Sequence, residues 1–350
     1  MEKQPSFEKI IGGTNKQKEE VLETMEMAST KTGAELFGQY LVEPTMKEEM
    51  VVEEAVTYAN AVAKQYGASR QFGTDRVFLL ESGAVEDLSD GRIQQGVCNF
   101  FDKSIGAERN KSGALLAVTI VHEMFHINSY QSAQIYKNGG NGLYRSGISM
   151  TGRNKEGDYF GVAEEAIIAI LSKKFFDEVI LKSALYQEEL DRTSKTKDWL
   201  LIFAEQHVPE EKRKKFKAAV QDILILPMSE EVYQKLHDSN KDDIYKYGYF
   251  NGFFKAELKS GTIFRERSME RETFEEVLDR IVLTSKDNTI SKEYLFDEFA
   301  RAHFTGNYIP LSRVIENVLG KGSFRRIAIE LGNMKPINSI QKDMLQSDIE

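Results

Sequence analysis

Cysteine is almost missing from this chain of 350 residues, Cys98 being the only one. An intramolecular disulfide and a cysteine-built metal site are thereby excluded, and a reducing compartment fits. Cys98 itself reads as a small buried hydrophobe. Uninterrupted apolar runs are short, none approaching the ~20 residues that a bilayer-spanning helix needs. No membrane span is therefore expected. Met1-Glu2-Lys3-Gln4-Pro5-Ser6 is polar and leads into no apolar stretch of signal-peptide type. A cytoplasmic protein is the simplest expectation. A basic surplus is lacking too: 46 Lys+Arg against 55 Asp+Glu leave a net charge of −9. That argues against nucleic acid or an anionic membrane as partner, because both reward a basic face.

What the chain does have is an ordinary globular composition and, among only five histidines, two at helical spacing in His122-Glu123-Met124-Phe125-His126. Histidines four apart on a helix lie one turn above the other on a single face. One Zn²⁺ can take both imidazoles at ~2.0–2.1 Å. Glu123 follows the first histidine and suits the general base of a metal-assisted hydrolysis. The bland alternative is a pair of satisfied core histidines. Ser112 precedes the apolar run Gly113–Val121 as a plausible N-cap, and Gly139-Gly140 is a plausible stop, so the helix is expected to continue through Ile127–Asn138.

Two histidines do not complete a catalytic zinc site, which usually has three protein ligands and an open position. His207, His237 and His303 are distant in sequence. Ser129-Tyr130-Gln131-Ser132 follows the motif where a metzincin would carry its glycine and third histidine. A carboxylate on the next helix is the preferred third ligand, and Glu164-Glu165-Ala166-Ile167 opens that helix. The pattern HExxH followed by a helix beginning Glu-Glu-Ala-Ile resembles the gluzincin group of zincin metallopeptidases. That resemblance implies one Zn²⁺ held by His122, His126 and Glu165, Glu123 as the catalytic base, and a peptide or protein substrate. On a helical wheel Glu164 falls nearer the middle of the Ile167-Ile168-Leu171-Phe175 stripe than Glu165 does, so the ligand choice stays open between them. Where the thermolysin type places an aspartate four residues after the ligand, this chain has Ala169. The partner that fixes an imidazole must then come from elsewhere or be a backbone carbonyl. That gap supports an alternative function, a weak or inactive zincin-fold binding or scaffold protein.

The fold class expected is α+β, mainly helical, with a zincin-like core, a small sheet beside the motif helix and a helical C-terminal region. A helical lead-in covers 1–70, the catalytic core 71–190, and the helical region 191–350. Strands are expected over Asp75–Glu81, Gly96–Phe101 and Ser104–Arg109. If the last is a sheet edge, its free backbone groups could hold an extended peptide. Leu143–Met150 and Asp158–Phe160 read as a hairpin around a polar tip over 151–157. Tyr144, Arg145 and Tyr159 flank it and could contact a tetrahedral intermediate, although hairpin packing explains them equally. Further helices are expected over Asp198–His207, Glu210–Ile225, Ser229–Leu236, Thr273–Val282 (with Thr273 and Glu276 as a capping box) and Ser291–His303.

Overall fold

The computed structural model describes residues 7–30, 33–88, 96–100, 102–109, 112–136, 141–151, 158–208, 210–221, 223–225, 264–265 and 268–332. In chain order the described elements are β1 (Lys9–Ile11), α1 (Asn15–Thr30), α2 (Gly33–Phe37), α3 (Met46–Gln65), β2 (Val77–Leu80), α4 (Ala84–Leu88), β3 (Gly96–Asn99), β4 (Ser104–Glu108), α5 (Gly113–Asn128), β5 (Gln131–Ile135), β6 (Asn141–Ser146), β7 (Ser149–Thr151), β8 (Asp158–Tyr159) and α6 (Gly161–Phe175). A π-helical turn (Phe176–Ile180) extends α6. Then come α7 (Gln187–His207), α8 (Glu210–Gln221), β9 (Ile223–Ile225), β10 (Phe264–Arg265), α9 (Ser268–Thr284), α10 (Lys292–Thr305), α11 (Ile309–Leu319) and α12 (Ser323–Glu330). The architecture is mainly helical, with small mixed sheets. None of the described helices is long and apolar enough to cross a membrane.

The motif helix α5 is buried almost all round, with Ala114, Leu115, Leu116, Ala117, Val118, Ile120, Val121, Met124, Phe125 and Ile127 all in the interior. A helix apolar on every face belongs in a core. Ser112 caps it by accepting from the Leu115 N–H. The carboxylate of Glu189 on α7 then accepts from the Gly113 and Ala114 N–H groups and from the Ser112 hydroxyl. The largest apolar cluster runs from Val51 on α3 to Leu331 after α12, so it draws on all three stretches distinguished in the sequence.

Two sheets flank this core. One has the order β2-β4-β3, with β2 parallel and β3 antiparallel to β4. The strand over 104–108 is thus central, so the condition under which it could take an extended peptide is not met, and the edge beside the motif helix is β3. The other sheet has the order β1-β5-β6-β7-β8. Its presence shortens the motif helix, which ends at Asn128 instead of running to 138. The His126 carbonyl accepts from the Ser129 hydroxyl at 2.7 Å and the Gln131 side-chain amide at 3.0 Å. Those bonds turn the chain into the fully buried β5, which pairs in parallel with β1 from the N-terminal stretch. A lead-in expected to be helical therefore contributes a strand.

The expected hairpin is two successive ones, β6 with β7 and β7 with β8. Thr273 is internal to α9, which starts five residues earlier at Ser268, so it is not an N-cap. The stretch expected as a helix to Ile225 instead ends at Gln221 and passes into β9. Gly139-Gly140, the tip residues 152–157, Ser229–Leu236 and His237 lie outside the described residues.

Candidate metal site

Position alone brings three of the singled-out side chains together. His122, His126 and Glu165 each offer one ligand atom, and these atoms lie within 4.8 Å of one another. His122 Nε2 is 3.7 Å from Glu165 Oε2, and His126 Nε2 is 3.6 Å from Glu165 Oε1. Ligands at the corners of a tetrahedron around zinc sit about 3.3 Å apart, from bonds of ~2.0–2.1 Å. The donor set of two imidazoles and a carboxylate with this spacing fits a single zinc ion. The three side chains remain 13–31% exposed, so the cluster is open to solvent.

Both carboxylates of the α6 doublet face the motif helix, but at different nitrogens. Glu165 meets the two Nε2 atoms, whereas Glu164 turns to the other side of His126, with Oε1 3.7 Å from Nδ1. Both of those atoms are buried, and neither has a hydrogen-bond partner. The other oxygen of Glu164 accepts from the Ile148 N–H at 2.8 Å and contacts His303 Nδ1 at 2.9 Å. Burial alone would raise the Glu164 pKa, but His303 and His126 outweigh it and hold the group down to about 2. Burial likewise disfavours a charged His126. Its surrounding carboxylates (Glu164, Glu165 and Glu123) overcome that and push it up to about 9.

The α6 turn that carries the doublet is set up by Phe160. This residue adopts a left-handed φ of 59° and is fully buried among Phe299, Tyr308 and Phe324. No side chain caps the helix. Instead the Phe160 and Val162 N–H groups donate to the carbonyls of Ala328 and Leu331, in and just after α12. Helix N-termini expose unpaired amides, and here the end of another helix takes two of this segment's N–H groups.

Glu123 lies on the same helix face, against the edge strand. A Cβ on Gly96 would lie 2.8 Å from both Glu123 Cγ and Thr119 Cγ2, so only glycine lets β3 pack this close. The thiol of Cys98, next along β3, is pushed up by burial and by the charge of Glu123 and stays protonated.

Arg145 is not an oxyanion donor. It is buried between the rings of Tyr130 and Tyr308 and donates to the carbonyls of Gly147, Ala302 and Gly306. Tyr159 packs against the main apolar cluster. His207 is the last residue of α7. Sequence reasoning missed His303 as part of this neighbourhood, and no local pattern around it points here. Comparison with protein-family models, with curated proteins and with solved structures finds no match to the chain.

Proposed function

We propose that the chain is a zinc-dependent metallopeptidase of gluzincin type, in which His122, His126 and Glu165 hold one Zn²⁺ and Glu123 is the general base. The carrying observation is the convergence of three ligand atoms from two helices, beside a glutamate on the same helix. When bound, zinc supplies Lewis-acid polarisation of a substrate carbonyl and lowers the pKa of a coordinated water to ~7. Glu123 would take the proton from the water as its oxygen adds to the carbonyl carbon, then pass it to the amide nitrogen so that the C–N bond breaks and the amine leaves. Among the described residues β3 has one strand neighbour, β4, and the face of β3 at Gly96 packs against Glu123. An extended peptide added to the free edge of β3 by backbone hydrogen bonding would pair with the strand that packs against the base.

The reading as an inactive binding protein rested on Ala169 standing where an orienting carboxylate was expected. Glu164, beside His126 Nδ1, supplies a carboxylate by another route. The test is metal content by mass spectrometry together with cleavage of a peptide library. Near-stoichiometric zinc and chelator-sensitive hydrolysis are expected. Glu123→Gln should keep the zinc and lose at least ~100-fold in kcat. Equal cleavage by both proteins removes Glu123 from the mechanism, and a wild-type protein without zinc removes the assignment.

A further inference from the structure

We infer that His303, a residue of the C-terminal helical region, is a positioning residue for the metal site and acts through Glu164 on His126. The inference rests on the zinc reading above and extends it to a group that touches neither metal nor substrate.

The geometry forms a chain of three side chains. If His126 offers Nε2 to the metal, its Nδ1 carries the hydrogen, and the atom facing that hydrogen is Glu164 Oε1. Glu164 has only acceptors, so at the 2.9 Å contact with Oε2 His303 Nδ1 must be the donor. Oε2 also takes the Ile148 N–H. Two donors thus fix one oxygen of Glu164 and leave the other aimed at His126. Ionised carboxylates buried to this degree keep their place only when so bonded.

His303 is itself immobilised. It is fully buried, its ring stands edge-on to Phe304 at 4.5 Å, and its carbonyl accepts from the Tyr130 N–H, four residues after His126. Arg145 ties the carbonyls of Ala302 and Gly306, on either side of His303, to the Gly147 turn. Gly147 has a positive φ of 54°, and an added Cβ would overlap Glu164 Oε2 and His303 Nδ1. The turn is glycine because the pair fills the space a side chain would need. Partners that orient a ligating histidine typically govern metal affinity by roughly 10–100-fold, and His303 stands behind that partner.

The experiment measures zinc affinity by competition with a chromophoric chelator and the visible spectrum of the Co²⁺-substituted full chain. His303→Leu should weaken zinc binding roughly 10-fold or more and shift the cobalt bands. His303→Asn places an amide nitrogen near Nδ1 and should restore most of both. A merely structural role would not distinguish the two by spectrum at equal melting temperature. Wild-type affinity and spectrum in His303→Leu overturn the inference while leaving the zinc site intact. Absence of metal binding in wild type instead overturns the functional reading beneath it. Should His303→Leu fail to fold, Glu164→Gln, which keeps the size of the side chain, decides: weakened binding with shifted bands supports the relay, and an unchanged site refutes it.

Discussion

Lys103 shows how one residue can carry a cost that the fold accepts. It is buried, adopts a left-handed φ of 60°, and its ammonium donates to Gln131 at the start of β5. Burial outweighs the nearby acids and lowers its pKa to about 7, against 10.5 for an ordinary lysine. Between those values the unfolded chain holds a proton that the folded chain has released, so stability rises with pH across the window. Below about 7 both states are charged and the full penalty applies. Lys103→Met should abolish a rise of roughly a few kcal/mol between pH 7 and pH 10.5, read from urea unfolding at several pH values. The residue scale also marks what the chain leaves hidden. The pair of imidazoles in His122–His126 is legible because a spacing of four puts both on one face. The distinct jobs of Glu164 and Glu165 are not, since adjacent residues on a helix point about 100° apart and only the neighbours decide which meets which nitrogen.

At the scale of elements, the first turn of α5 depends on a carboxylate from elsewhere. Glu189 on α7 takes two of the amides that a helix start leaves open, beside the favourable end of the dipole. Glu189→Ala should cost about 1–3 kcal/mol, seen as a lower urea midpoint at unchanged slope. Zinc affinity should change little, because the ligands sit two to three turns further along. The start of this helix was readable from Ser112, a local cap. Its end was not. Gln131-Ser132-Ala133-Gln134-Ile135 carries no strong strand signature, and pairing with β6 on one side and with Lys9–Ile11, far away in sequence, on the other makes it a strand. The misread box at Thr273 has the opposite origin: a good local signal was overridden because Ser268 had already opened the helix.

At the scale of the whole molecule, one apolar cluster joins α3, α5 and α6 to α9, α10, α11 and α12. A ligand bound at the α5–α6 junction should therefore be felt throughout. On the proposed reading, zinc at a hundred times its dissociation constant stabilises the chain by ~2.7 kcal/mol. The melting temperature should rise by several degrees and fall back on chelation. Glu123→Gln should retain the rise and Glu165→Ala should lose it, measured by scanning calorimetry. The attachment of Phe160 and Val162 to the carbonyls of Ala328 and Leu331 carries one more consequence, which concerns time. Both histidines and both glutamates are synthesised before the groups that anchor the glutamate-bearing turn, which follow some 160 residues later. On the proposed reading, the carboxylate that completes the site gains its backbone anchors only once the segment around Ala328 and Leu331 has joined the fold.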